Sequence, residues 1–224
     1  MPYAALFFEY STYPILCLIT AFWVWAAARA FREAGFPAFA VRARKMLLPG
    51  LCIIVMAAAV FWMVKPQLRV LSDEAELLAV SKSMALETRL DFVFEGYWQA
   101  GEFAAVSRNR AIRPFGFPFT VHLLHRASGF RPANIFAVHF LFFSGALLLL
   151  FALMRRHAGN SWAMAAVLAV LAQPVVLLCA ASGGFELFQL FWIFLSLAAF
   201  IHYLDDPKSE PRFRLLWMSL VALS

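Results

Sequence analysis

The sequence predicts an all-α fold: a polytopic transmembrane helical bundle whose long first external loop carries amphipathic helices lying in the membrane interface. Two observations lead to this fold class. Hydrophobic residues make up 63% of the 224 residues and charged residues only 14%, whereas a water-soluble domain needs far more polar surface to cover its core. The apolar residues also fall into stretches of about 20 residues, the length with which a helix crosses a bilayer.

Five stretches are long enough to be membrane spans, because a helix rises about 1.5 Å per residue. In chain order they are Tyr13–Ala30, Met46–Val64, Ile135–Met154, Trp162–Ala181 and Leu187–Leu204. A sixth begins near Leu215 and reaches only Ser224, so we expect the sequence to be the front part of a longer membrane protein. Within the fourth span, Gln173-Pro174 predicts a kink, because proline removes a helical hydrogen bond.

The basic residues predict the orientation of these spans. They lie in alternate connections: Arg32, Arg42, Arg44 and Lys45 follow the first span, Arg155 and Arg156 the third, and Lys208, Arg212 and Arg214 the fifth. Because short basic loops stay in the cytoplasm, we expect the N-terminus and residues 65–134 on the outer face. The expected location is a bacterial inner (plasma) membrane. The net charge of +6 reflects this bias and indicates no nucleic-acid partner.

The predicted spans divide the chain into two parts. Residues 1–45 hold an additional N-terminal transmembrane helix and a basic cytoplasmic loop, and residues 46–224 hold the main transmembrane core with the external loop 65–134. A connection of this length is uncommon unless it is functional. Two amphipathic helices are predicted in it, Ser72–Leu86 and the aromatic-rich Asp91–Phe103. We expect both to lie among the membrane lipids at the bilayer surface, without a hydrophobic core of their own.

An acidic pair opens the external loop. Asp73 and Glu74 follow the span Met46–Val64 by a few residues, and carboxylates at the rim of a bilayer are costly to desolvate, which makes them functional candidates. The alternative interpretation is structural. Ser72 would cap a helix whose first turn carries Asp73, Glu74 and Glu76, where the helix dipole stabilises negative charge. The spacing of these residues by itself leaves the two interpretations equally open.

Three arginines lie farther along the loop, before the proline-rich run Pro114–Phe119. They are Arg108, Arg110 and Arg113. A guanidinium is planar and permanently charged, so each suits an anionic ligand on the outer face. The alternative is contact with lipid headgroups, which is favoured slightly more for Arg108 and Arg110 than for Arg113.

Two histidines follow on the next predicted helix. His122 and His125 are three residues apart, which places both imidazoles on one helical face. As ligands they suit a divalent metal, but no third ligand lies in register. Polar histidines at the interface are therefore the favoured interpretation, and no metal site is assigned.

The order of these features resembles that of the polytopic GT-C glycosyltransferases, which include the protein mannosyltransferases and the aminoarabinose transferases. Leu71–Ala75 (LSDEA), directly after a span, is similar to the opening of the family's first external loop. Arg113–Phe119 (RPFGFPF) and Gly129–Asn134 (GFRPAN) are similar to its proline-rich stretch and to the turn before its next span. The resemblance covers roughly residues 46–204, and Tyr13–Ala30 is an additional span that precedes it.

The resemblance implies an integral membrane glycosyltransferase of the outer face. Such enzymes move a sugar from a polyprenyl-phosphate carrier to a lipid, glycan or protein acceptor, here with inversion at the anomeric carbon. By its match to the family's acidic pair, Asp73 is the candidate catalytic base, and Glu74 is a second catalytic candidate that orients it. No cofactor is certain, although a divalent metal fits the reaction class.

The same resemblance indicates the residues that bind the substrates. The candidates are Arg113, Arg110 and Arg108 for the carrier's phosphate, with His122 and Glu186 as further contacts. Glu186 lies in the turn before the fifth predicted span, where it faces the outside in the predicted topology. An ordinary acid at a helix start is the alternative for Glu186.

A function of a different class stays open beside the enzyme. A non-catalytic membrane subunit, or a transporter that handles lipid-linked sugars, would use the same external loop to hold a headgroup. Transporters often consist of two related halves, and no internal repeat is visible in this sequence. Neither the donor sugar nor the acceptor follows from these residues, because a fold family does not specify a substrate.

Overall fold

The computed structural model describes residues 13–25, 28, 36–68, 72–110 and 114–205 of the chain. These residues form seven helices and one two-stranded antiparallel sheet. The helices are α1 (Tyr13–Trp25), α2 (Phe36–Val64), α3 (Ser72–Glu87), α4 (Gly116–Ser128), α5 (Asn134–Leu171), α6 (Pro174–Ala180) and α7 (Glu186–Asp205), and the strands are β1 (Asp91–Gln99) and β2 (Glu102–Arg110). The fold is therefore mostly helical, with one β-hairpin.

The described residues divide into two compact units. One contains the described parts of residues 1–19 and 68–138, and we call it the loop unit. The other contains the described parts of residues 20–67 and 139–224, and we call it the helical unit. Each is considered by itself below.

Two helices are long and apolar enough to cross a membrane: the Met46–Val64 part of α2, and α5. The first ends at Val64, as the sequence predicts, but α2 begins ten residues before Met46, at Phe36, within the predicted basic loop. Shorter apolar helical stretches occupy Tyr13–Trp25 and Glu186–Ala198, within the first and fifth predicted spans. The segment from Leu215 to Ser224 lies outside the described residues, so the sixth predicted span stays a prediction.

The third and fourth predicted spans lie in a helical stretch that is interrupted at two places, Gly159 and Gln173-Pro174. Within α5, Gly159 has φ 81° and ψ 177°, a conformation open to glycine, so two helical segments meet there. α5 then ends at Leu171, and α6 begins at Pro174, which confirms the predicted kink at Gln173-Pro174. The side-chain amide of Gln173 donates to the Ala169 carbonyl at 3.3 Å and so supplies a partner for a carbonyl at the interruption.

The helical unit is apolar both inside and outside. Its core consists of alkyl and aromatic side chains from α2, α5, α6 and α7: Ile53, Ala57, Val60, Phe143, Leu147, Phe151, Ala163, Val167, Ala180 and Leu187. Large apolar side chains also point outward, among them Leu47 (74% exposed), Trp62 (79%) and Trp162 (70%). Such a surface suits contact with lipid or with another apolar surface better than contact with water.

Contacts at the helix ends agree with the predicted alternation of the loops. The Arg155 guanidinium lies 2.6 Å from the Met46 sulfur, so the start of the Met46–Val64 segment and the end of the third predicted span lie together. At the other end, the Gln67 backbone N–H donates to the Ala181 carbonyl at 3.1 Å. The start of the Met46–Val64 segment therefore neighbours the end of the third predicted span, and its other end neighbours the turn that follows α6.

The loop unit has a hydrophobic core of its own, contrary to the expectation from the sequence. Val80 and Met84 of α3 pack with Leu90 and with Phe119 of α4, and all four are buried. Partly buried side chains of α1 and β1 cover this cluster, namely Tyr13, Leu16, Cys17 and Phe92. The first predicted amphipathic helix, Ser72–Leu86, is confirmed as α3, one residue longer.

The second predicted amphipathic helix is wrong, because residues 91–103 belong to a β-hairpin. Trp98 pairs with Phe103, and Gln99 pairs with Glu102 across a two-residue turn. The turn residues Ala100 and Gly101 have φ values of 52° and 87°, and such left-handed turns match the twist of the two strands. Aromatic and β-branched side chains favour strands, and here their pairing across the turn prevails over the amphipathic helical pattern.

Candidate functional site

The acidic pair lies in the first turn of α3. Helix formers and the two carboxylates near the positive end of the dipole favour a helix here. Glu74 is only 4% exposed, and it follows the same buried face as Leu77, Ser81 and Met84. Asp73, one position earlier, is half-buried. The structure therefore places one carboxylate in the interior of the loop unit and its neighbour at the edge.

Arg108 lies at the opposite end of α3 from this pair. Its guanidinium is 2.7 Å from the Glu87 carboxylate and 3.3 Å from that of Asp91. Asp91 also binds Arg89 at 2.9 Å. Because Asp73 and Glu87 are separated by the length of a 16-residue helix, Arg108 lies about 20 Å from Asp73. Arg108 thus closes the base of the hairpin with its ion pairs and does not share a site with the acidic pair.

The other two candidate arginines are Arg110 and Arg113. Arg113 lies outside the described residues, and Arg110 is described by its backbone, at the end of β2. Both remain phosphate-binding candidates by prediction.

His122 is buried in the loop unit. Its side chain is 1% exposed, and its Nε2 atom is 2.9 Å from the Tyr13 hydroxyl. Burial, reinforced by the positive charge of Arg126, lowers the pKa of His122 to about 4. At neutral pH the ring is therefore uncharged. Within the described residues its Nδ1 atom is buried without a hydrogen-bond partner.

His125 belongs to a buried chain of hydrogen bonds that connects α4 with α3 and with the start of α5. Its Nδ1 atom is 2.8 Å from the Asn134 amide nitrogen, and its Nε2 atom is 3.3 Å from the Ser81 hydroxyl. Burial lowers the pKa of His125, although the nearby Gly129 carbonyl acts in the opposite direction.

Ser81, His125 and Asn134 have the composition of a nucleophile, a base and an orienting group. Their donors, acceptors and burial decide whether they form a catalytic or a structural arrangement. The Asn134 nitrogen is also 3.0 Å from the Gly129 carbonyl, which only accepts, and this assigns the amide orientation. The Asn134 amide nitrogen is therefore the donor at this end of the network. The Ser81 hydroxyl donates to the Leu78 carbonyl at 2.8 Å and is fully buried. A substrate cannot reach a nucleophile at that position, so the arrangement is a structural network.

One contact locates the second histidine along α3. His125 lies beside Ser81, which is eight residues, or about 12 Å, along α3 from Asp73. His122, the predicted substrate-binding histidine, is an interior residue of α4 that contacts Tyr13.

Glu186 belongs to the other unit, at the exposed first residue of α7. Its carboxylate folds back over Gly184, where a β-carbon would collide with it. The preceding turn is held by Ser182, whose hydroxyl donates to the Cys179 carbonyl at 2.9 Å and whose own carbonyl is 3.0 Å from His139 Nδ1. The turn before the fifth predicted span was visible in the sequence, but its link to His139 was not.

Sequence reasoning missed Tyr13, Ser81 and Asn134, which are the polar partners of the two histidines. Their separation along the chain from His122 and His125, up to 109 residues, gives no local signal. In the described part of the chain, no three His, Cys, Asp or Glu side chains lie close enough together to hold a metal ion.

Comparison of the chain with protein-family models, with curated proteins and with solved structures finds no match. The resemblance to the GT-C glycosyltransferases therefore stays a prediction that rests on the sequence motifs.

Proposed function

We propose that this chain belongs to an integral membrane glycosyltransferase that moves a sugar from a polyprenyl-phosphate carrier to an acceptor on the outer face of the membrane. The observation that carries the proposal is the position of Asp73. It is half-buried in the first turn of α3, next to the 4% exposed Glu74 and shortly after the apolar segment Met46–Val64. Two adjacent carboxylates at the start of a helix, one of them buried, are a candidate for function.

The proposed reaction is a single displacement. The oxygen of the acceptor hydroxyl attacks the anomeric carbon while Asp73 takes the hydroxyl proton. The bond between the anomeric carbon and the phosphate oxygen breaks, and the carrier phosphate leaves with the electron pair.

The leaving phosphate needs positive charge nearby. Arg108 is engaged by Glu87 and Asp91 and lies about 20 Å from Asp73, so we assign it no part in the reaction. The backbone of Arg110 pairs with Asp91 at the same end of α3. The proposal therefore gives the phosphate to Arg113. His122 is uncharged at neutral pH and is left out of phosphate binding as well.

The test is the variant Asp73→Asn in the complete protein, assayed with a polyprenyl-phosphate sugar and its acceptor in lipid. The amide keeps the size of the side chain but cannot take a proton, so transfer should fall by roughly a hundredfold to ten-thousandfold. The matched control is Glu102→Gln, which removes a carboxylate from the exposed hairpin of the same unit and should leave transfer unchanged.

A purely structural role for Asp73 predicts another result. Loss of a carboxylate at a helix start costs about 1 kcal/mol or less, with turnover retained. Normal transfer by Asp73→Asn would therefore remove Asp73 as the base. Binding of the lipid-linked sugar with no transfer in the unmodified protein would instead favour the transporter or subunit function.

A further inference from the structure

The hairpin presents an unusual number of large apolar side chains to its surroundings. They are Phe94 (61% exposed), Tyr97 (52%), Trp98 (74%), Phe103 (50%) and Val106 (62%), and we call them the hairpin patch. The two rings nearest the turn, Trp98 and Phe103, contact each other with centroids 5.5 Å apart. Exposed apolar groups at this density mark a surface that is covered in the working protein.

The patch surrounds the hairpin and does not lie on one face. Side chains alternate along a strand, so Trp98 and Tyr97 point to opposite faces. The register of the two strands shifts on either side of Glu95, which leaves Phe94 and Val106 without partners across the sheet. Such bulges re-aim side chains, and here both bulge positions carry exposed apolar residues. A flat protein partner covers one face of a hairpin, whereas a bilayer surrounds whatever enters it.

The charges and residue types of the hairpin also fit a lipid surface. Residues 91–110 contain three acids and two arginines, which leaves a formal charge of −1. At the base, Asp91 is neutralised by Arg89 and Arg108. Tryptophan and tyrosine prefer the headgroup level of a membrane. Glu95 and Glu102 are both exposed, and at that level they keep their water.

The short connection before α3 keeps the hairpin within reach of a membrane. Only residues 65–71 separate the Met46–Val64 helix from α3, and seven residues reach at most about 25 Å. If that helix spans the bilayer, as the proposed function requires, the loop unit is held beside the membrane surface.

We propose that the outer half of the hairpin, residues 94–106, inserts through its aromatic side chains into the interfacial region of a bilayer with zwitterionic headgroups. Insertion holds the loop unit against the membrane, beside which the head of a lipid-linked donor lies. The contact is apolar and does not depend on anionic lipid. It rests on the membrane-spanning part of the proposed function and is independent of the transfer chemistry.

The test places an environment-sensitive nitrobenzoxadiazole label at the patch of the complete protein. Cys17, Cys52 and Cys179 are replaced by alanine, Trp98→Cys carries the label, and single copies are reconstituted in phosphatidylcholine nanodiscs. Nitroxide groups on the acyl chains near the headgroup should quench this label strongly, and aqueous iodide only weakly. The control is Ala127→Cys, on the exposed side of α4, where iodide should be the stronger quencher.

Two variations sharpen the result. Addition of the anionic lipid phosphatidylglycerol should leave the lipid quenching unchanged. If arginines made the contact, the anionic lipid would attract them and the lipid quenching would increase. With the label at Val106→Cys, the changes Trp98→Ser and Phe103→Ser should reduce lipid quenching, and both positions are exposed enough to spare the core.

Several outcomes would overturn the inference. They are full iodide quenching at Trp98→Cys, protection from both quenchers (burial against protein), or equal lipid quenching at Ala127→Cys. The inference and the proposed function fail separately: Asp73→Asn should leave lipid quenching intact. Lost quenching with normal transfer would remove the docking alone, and intact quenching without transfer in the unmodified protein would remove the transferase alone.

Discussion

The two units of this protein differ in what they bury and in what they expose. Of the nine buried polar side chains in the described part of the chain, six lie in the smaller loop unit: Glu74, Ser81, Ser83, His122, His125 and Asn134. The helical unit buries mainly alkyl and aromatic groups, and it exposes the same kinds of side chain on its outside.

This difference indicates that the surfaces of the two units suit different surroundings. Buried polar groups need partners in defined positions, and the hydrogen bonds of His125, Asn134 and Ser81 supply them. An apolar exterior such as that of α2, where only 17% of the apolar stretch is buried, is compatible with hydrocarbon rather than water. The loop unit therefore has a hydrogen-bonded polar interior, and the helical unit has an apolar exterior that the proposed membrane location would cover.

The strongest test of this comparison is the side of the membrane on which each unit reacts. In intact cells, an impermeant thiol reagent should label Ala127→Cys of the loop unit and should not label Ala158→Cys of the helical unit. Both positions are exposed, so the expected effect is all-or-none. Each variant is made in the background without native cysteines, and labelling after cell lysis is the control. Labelling of Ala158→Cys in intact cells would reverse the predicted orientation.

The polar interior of the loop unit should make its stability depend on pH. The pKa of His122 is about 4 in the folded protein and 6.5 in an unfolded chain, so below pH 6.5 the unfolded state binds a proton that the folded state does not. The free energy of unfolding should therefore fall as the pH drops from 6.5 to 4, by about 3 kcal/mol for this group. The lowered pKa of His125 acts in the same direction.

Thermal unfolding at pH 7.5 and 4.5 measures this dependence. His122→Gln should weaken it, whereas His157→Gln, at an exposed position of α5, should not. An undiminished pH dependence in His122→Gln would contradict the assignment.

A somewhat smaller loss is expected from Asn134→Ala. The amide nitrogen lies 2.8 Å from the buried His125 Nδ1 and 3.0 Å from the carbonyl of the exposed Gly129. A buried polar group left without a partner costs about 1–3 kcal/mol, and we expect a destabilisation of that size in thermal or denaturant unfolding. Asn109→Ala, at an exposed position of β2, is the matched control and should stay within about 0.5 kcal/mol. Equal losses in the two variants would show that the network does not stabilise the unit.

The smallest effect concerns the ion pairs at the base of the hairpin. The Arg108 and Glu87 side chains are 27% and 41% exposed, so water screens their attraction, and Arg108→Ala should cost about 1 kcal/mol or less. Added salt should reduce the difference from the unmodified protein. Sugar transfer should be retained, as in the exposed control Arg131→Ala. A selective loss of donor use in Arg108→Ala would return Arg108 to the phosphate site.

Local sequence determined several elements and one or both of their ends. Met46–Val64 is long and uniformly apolar, α3 begins at Ser72 with its acids in the first turn, and the helix is interrupted at Gln173-Pro174. Each signal lies within a few residues of the feature that it produces: an apolar stretch of fixed length, charges near a helix start, or a missing backbone N–H.

The tertiary structure alone decided the rest. The pattern of residues 91–103 is compatible with an amphipathic helix and with a strand. The pairing of Asp91–Gln99 with Glu102–Arg110 selects the hairpin. Arg108 reads from the sequence as a phosphate ligand, but folding brings it to Glu87 and Asp91. His122 reads as an interfacial residue, but contact with Tyr13, 109 residues away, makes it an interior one. The physical reason is common to all three: pairing, charge neutralisation and burial depend on neighbours outside the segment itself, from an adjoining strand to a residue 109 positions away.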